Sequence, residues 1–156
     1  MQKLLDLYKG WSGSEPSGVE RLDAAGSNRQ YFRIIGVDGG SVIGVIGTSR
    51  DEDHAFIYLS KHFRQRQLPV PRILAVADDE LRYIQEDLGR MSLFSALSGG
   101  RESGGRYNQR ERQLLVNTIR ELPNIQIRGA RGLDWTNCYP CLLYTSPSPR
   151  DRTRSR

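Results

Sequence analysis

Residues 26–34, GSNRQYFRI, set a Gly-Ser-Asn tripeptide against two arginines that bracket two aromatics. Taken alone, Gly-Ser-Asn is a common hairpin tip, and the residues after it are good strand formers. The same stretch also suits a loop that holds phosphates. A third use is a nucleic-acid surface, with Tyr31 and Phe32 stacking on bases and Arg29 and Arg33 on phosphates. Tyr31 and Phe32 are neighbours on a strand and face opposite sides, so at least one belongs to a core.

Other residues with chemical potential carry less. Cys138 and Cys141 have the C-x-x-C spacing of a redox or zinc pair. His54 and His62 are eight apart, too far for the i, i+4 metal pair of a helix, and both read as non-ligands. Trp11 and Trp135 read as packing residues. No catalytic residue and no metal ligand is assigned.

Charge weakens the nucleic-acid reading. The chain carries +5, but four arginines against Asp151 place +3 in residues 141–156, leaving +2 for the first 140. That tail has no amphipathic period and two Ser-Pro steps. Residues 141–151, CLLYTSPSPRD, correspond to an in-frame translation of the transposase adapter used in sequencing libraries, and Ser155-Arg156 to its continuation. Residues 141–156 therefore read as a non-native tail. The C-x-x-C pair is then an accident of the junction. No apolar run reaches the ~20 residues of a membrane span, and the first residues do not form a signal peptide. A cytoplasmic protein without membrane partners is expected.

The elements that must position these residues follow from periodicity. A short helix is expected over residues 2–8 and a Ser/Gly/Pro-rich loop over 11–18. Strands are expected over 19–23, 30–37 and 41–47, the last two joined by the Asp38-Gly39-Gly40 turn. Ser49 and Glu52 form the capping box of a helix whose Phe56, Leu59 and Phe63 share a face, and Leu68-Pro69-Val70-Pro71 stops it. Strands over 73–77 and 81–85 come next, then a short helix over 92–97. SGGRESGGR at 98–106 reads as flexible. Asn108 caps a helix ended by Pro123. Strands segregated from later helices indicate an α+β fold.

This order, with GSNRQYFRI after the first strand and YIQEDLG at 83–89, resembles the small lobe of aminoglycoside and choline kinase-like phosphotransferases, nearest to the small-molecule sugar kinases. The matching points are Gly26, Arg29 or Gln30, Tyr31 or Phe32, Arg33, Val70, Pro71 and Glu86-Asp87-Leu88-Gly89, within roughly residues 18–97. The resemblance implies a protein kinase-like small lobe, a five-stranded antiparallel sheet with one packed helix. The small lobe would span 1–87, and 88–140 would be the hinge and truncated beginning of a helical large lobe.

It further implies a site for ATP, with Mg²⁺ and a sugar or amino-sugar acceptor in the intact parent. Gly26, Ser27 and Asn28 would turn backbone amides toward phosphate oxygens. Arg29 and Arg33 would add guanidinium forks. Gln85, Glu86, Asp87 and Leu88 would pass the adenine edge. Two departures stand out. The third strand, SVIGVIG, lacks the lysine that protein kinase folds pair with a helix glutamate, leaving Arg29, Arg33 or Arg50 to replace it. Nothing before Pro140 matches the catalytic aspartate loop, so this chain is expected to have no kinase activity. A catalytically silent scaffold is the remaining alternative.

Overall fold

The computed structural model describes residues 1–23 and 28–139. Its fold is α+β. Helix α1 (Gln2–Ser12) precedes strands β1 (Gly18–Leu22), β2 (Gln30–Ile35) and β3 (Ser41–Ile46). Helix α2 (Arg50–Gln65) separates β3 from β4 (Ile73–Val76) and β5 (Arg82–Glu86). Short helices α3 (Leu93–Ala96) and α4 (Ser98–Glu102) lead to α5 (Gln109–Pro123). The strands form one antiparallel sheet in the order β1-β2-β3-β5-β4.

Strand alternation gives the sheet two buried faces. In register across β2, β3 and β5 lie Phe32, Gly44 and Ile84, and one step along Tyr31, Val45 and Tyr83. The first set faces α1, where Leu4 and Tyr8 pack with Phe32, Ile34 and Ile84. The second faces α2, where Ile57 packs with Ile43, Val45 and Tyr83. Gly44 is what lets α1 settle. A Cβ there would lie 2.8 Å from the Ile34 Cδ1 and 2.9 Å from a Leu4 methyl.

The helix termini follow local rules. The Ser49 hydroxyl accepts the Glu52 N–H at the start of α2, and Asp51, Glu52 and Asp53 fill its first turn, where negative charge suits the helix dipole. Asn108 and Glu111 complete a capping box on α5.

Two expectations are corrected. Residues 98–106 are not all irregular, because Ser98–Glu102 is helical. Gly100 N–H donates to the buried Glu111 carboxylate at 2.9 Å, and a Cβ on Gly100 would sit 2.0 Å from the Tyr107 ring. Long-range bonding here outweighs glycine's poor helix propensity. Pro123 also does not end the helical path. Its φ of −62° is helical, and the chain continues as a π-helical turn, Asn124–Arg128, with Gly129 N–H reaching Asn124 O at 3.1 Å.

No helix among the described residues is long and apolar enough to cross a membrane. Large apolar side chains are exposed on the segments after the sheet. Leu88, Met91, Phe94, Ile119, Ile127 and Trp135 are each more than 60% accessible, far above core residues.

Candidate functional site

The α2-facing side of the sheet carries an unusual amount of charge for a packed surface. Arg33 lies on β2 across from Ile43 of β3, which lies across from Gln85 of β5. All three side chains share the face that α2 covers. Burying a guanidinium there requires a partner, and Arg33 has several. Its Nε donates to Asp87 Oδ2 at 2.6 Å, and its Nη2 donates to Asp87 Oδ1 and to Gly89 O, each at 3.2 Å.

Asp87 is held equally firmly. Its carboxylate also accepts the Ser41 hydroxyl at 2.7 Å and the Gly89 N–H at 2.9 Å. The side chains of the pair are only 7% and 6% exposed. The Arg33 guanidinium keeps the Asp87 carboxyl well below its ordinary pKa, with the Ser41 and Gly89 bonds adding to this against the opposing effect of burial. Glu20 of β1 stands 3.7 Å from Arg33 and binds Arg90 at 2.6 Å. The chain leaving the sheet is thus tied by charge to β1, β2 and β3.

Arg29 lies four residues before Arg33, just ahead of β2, and points toward the first turn of α2. Its Nε donates to Asp53 Oδ1 at 2.6 Å and its Nη2 to Glu52 O at 3.0 Å, so the first turn of α2 fixes the guanidinium. The group also lies 5.1 Å from the Phe56 ring centroid. Asp53 is 1% exposed, and burial pushes its carboxyl above the ordinary value despite Arg29. Gly47 makes room for it: a Cβ on Gly47 would lie 1.5 Å from Asp53 Oδ2. On this face the Asp53 Oδ2, Tyr83 hydroxyl and Gln85 Oε1 are buried and, among the described residues, have no hydrogen-bond partner. Burial drives the Tyr83 phenol strongly upward, so it stays protonated.

The expected site residues therefore fall into separate groups. Arg33, Asp87 and the following Gly89 meet directly. Arg29 stands with α2, and Asn28 is exposed beside it. Gly26 and Ser27 lie outside the described residues, as does the tail at 141–156. Glu86 is engaged with the Arg72 N–H at 3.2 Å and the Arg72 guanidinium at 3.5 Å. Leu88 is 70% exposed. Arg50 pairs with Glu80 on the β4–β5 turn at 3.3 Å. Ile43 and Val45 are buried under α2, so the cations on that face come from the β2 end of the sheet.

The nucleic-acid reading needs correction on two residues. Phe32 is 5% exposed in the α1 core and has no face for a base, and Arg33 is consumed by Asp87. Trp11 packs on the Tyr8 ring with centroids 6.0 Å apart while remaining 43% exposed, and Trp135 is 69% exposed. His54 bridges Glu80 and Asn137, and His62 binds Gly129 O at 2.8 Å.

Asp53 was the residue least visible in the sequence. A signal did exist: with Ile57 and Ser60 it follows i, i+4, i+7, which puts an acid inside the buried stripe of α2. An acid in such a stripe demands a cation. No family model matches this chain, and no curated protein matches it.

Proposed function

We propose that this chain is the nucleotide-binding small lobe of an ATP-dependent phosphotransferase whose intact form phosphorylates a hydroxyl of a small molecule such as a sugar or amino sugar. One observation carries the reading. An acid in the first turn of the helix after the third strand holds a cation on the sheet face shared with the chain's exit at 85–88. In protein kinase folds a helix glutamate holds a third-strand lysine for the same purpose, placing positive charge at the phosphates. Here Asp53 supplies the acid and Arg29 the cation. The strand order and the helix between β3 and β4 support the same reading.

The described residues fit a phosphate chain better than they fit Mg²⁺. Arg29 is a rigidly held fork, suited to an oxyanion. The two buried carboxylates of this face, Asp53 and Asp87, are both paired with arginine, so neither fits a metal ligand set. Among the described residues no group of three or more His, Cys, Asp and Glu is placed to hold an ion. No step is assigned to the metal on these residues.

Calorimetric titration with ATP and adenosine tests the proposal. ATP should bind more tightly than adenosine. Arg29→Ala should weaken ATP by about ten- to a hundredfold, the equivalent of one charge-assisted hydrogen bond, and leave adenosine unchanged. Equal binding of the two ligands, or an Arg29→Ala variant that keeps its preference for ATP, would refute it.

A further inference from the structure

The far end of α2 carries a second concentration of positive charge. Residues 60–72 contain Lys61, Arg64, Arg66 and Arg72, and residues 124–133 contain Arg128 and Arg131. Neither stretch holds an aspartate or glutamate. The fold brings three of these arginines together. Arg66, Arg128 and Arg131 line one concavity of about 220 Å³ with Gln65 and Gln67. Among the described residues no carboxylate lines it and none of the three arginines is ion-paired.

The concavity is built rather than accidental. His62 is 6% exposed, and its Nε2–H donates to Gly129 O at 2.8 Å. That leaves Nδ1 as the acceptor facing Arg66 Nη1 at 3.3 Å, while the same nitrogen also reaches His62 O. The buried His62 ring and its own carbonyl therefore orient Arg66. Gly129 is required for this approach, because a Cβ there would lie 2.1 Å from Ile125 O and 2.9 Å from the Phe63 ring. Gly132 holds φ +62°, and a Cβ on it would press within 3.0 Å of Arg66 Nη2. Gln67, on the pocket wall, also sits in the left-handed region at φ 58°, a strained setting for a residue with a side chain.

Part of this charge serves the helix end. Arg128 Nη2 donates to Arg66 O at 3.1 Å, capping a carbonyl where cations are favoured. That use occupies one N–H of five. Arg131 is exposed, and among the described residues it bonds only through its backbone N–H, to Arg128 O. Three like charges converging without an acid repel one another unless an anion joins them.

We infer that Arg66, Arg128 and Arg131 form a binding site for a tetrahedral dianionic oxyanion, either inorganic phosphate or the phosphate group of a monoester. The volume, about 220 Å³, has ample room for one such group. Arg66 gives a fixed fork, and Arg128 and Arg131 close on it from the segment after α5. The site is separate from Arg29, which contacts the other end of α2, thirteen residues or roughly 20 Å away along the helix.

Titration of inorganic phosphate into the full chain at constant ionic strength, followed through the arginine Nε–Hε resonances, tests the site. Saturable shifts of Arg66, Arg128 and Arg131 are expected. A simple monoester such as glycerol phosphate distinguishes the two sources by binding more or less tightly than phosphate itself. Arg131→Gln, which removes no side-chain hydrogen bond or ion pair among the described residues, should weaken binding at least tenfold, and Arg131→Lys should restore part of it. Arg29→Ala should leave phosphate binding here unchanged, so failure of the nucleotide reading would not imitate failure of this one. Non-saturating shifts, equal shifts with chloride, or unaltered affinity in Arg131→Gln would overturn the inference.

Discussion

Replacing Asp87 with asparagine would remove one charge and almost no volume. What remains is the Arg33 guanidinium, 7% exposed, facing an amide that can accept from it at only one oxygen. Four hydrogen bonds now converge on that carboxylate, from Arg33 Nε, Arg33 Nη2, Ser41 and Gly89. Breaking a buried pair from one side costs about 3–5 kcal/mol, because the remaining charge is left uncompensated. Asparagine retains some of the bonding, so the lower end, about 3 kcal/mol, is expected. With a urea slope of about 1.5 kcal/mol per molar, the unfolding midpoint should fall by about 2 M. Arg33→Met combined with Asp87→Leu should recover much of this, since an apolar pair avoids desolvating either ion. The pH dependence supplies an internal check. Asp87 has its folded pKa depressed, so its contribution is complete above the ordinary value of about 3.9 and is lost as pH falls from there through the folded value. The gap between wild type and Asp87→Asn should be flat from pH 8 to 5 and narrow in stronger acid. A midpoint shift under 0.5 M, or a double variant no more stable than the single one, would show that the pair does not hold the exit segment.

Three further outcomes follow from the same geometry. Gly47→Ala should expel the Asp53 carboxylate, destabilise the fold by about 3 kcal/mol and weaken ATP as much as Arg29→Ala does, with little extra loss in the double variant; additive losses of ATP affinity would mean Asp53 does not act through Arg29. His54 faces Asn137 Oδ1 at 3.1 Å and Glu80 Oε1 at 3.1 Å, and both acceptors raise its pKa. Its tether of the 3₁₀ turn Trp135–Asn137 is therefore complete below the ordinary value near 6.5 and is lost as pH rises through the higher folded value; amide exchange at 135–138 should rise there beyond the intrinsic base-catalysed trend, and an unchanged protection factor would count against the tether. Glu111→Ala should cost about 2 kcal/mol by orphaning the Gly100 and Asn108 N–H groups, with exchange of α4 amides accelerating first; a change under 0.5 kcal/mol would show that Glu111 is not what keeps α4 helical.

The sheet was legible because its causes are local. Alternating β-formers, Asp38-Gly39-Gly40 and the two prolines after α2 each act within a few residues, and the observed strands follow them closely. The charged pairs were not legible, because their causes are distant. Arg33 and Asp87 are 54 residues apart, and Arg29 and Asp53 are 24 apart. Either arginine looks the same in sequence whether it faces solvent, an acid or a ligand. The helix at 98–102 failed for the same reason: its glycines argue against it locally, while Glu111 and Tyr107 argue for it from the next element. An acid in the apolar stripe of α2 was the one long-range signal that sequence periodicity could have exposed.

The two arginines of GSNRQYFRI consequently do different work, although the motif presents them alike. Arg33 is enclosed by β1, β2 and the exit segment, and its donors are committed to Asp87 and Gly89. Freeing it for a phosphate would leave Asp87 buried without its main partner, so it serves to anchor the exit. Arg29 is 17% exposed and is held by Asp53 and the Glu52 carbonyl of a helix start, beside the Phe56 ring. Burial raises the Asp53 carboxyl pKa despite Arg29. The Arg29 side chain is the more accessible of the two, 17% exposed against 7% for Arg33, so an anion reaches it more readily. On these grounds positive charge at the proposed nucleotide site rests on Arg29, and the structural integrity of the chain's exit rests on Arg33.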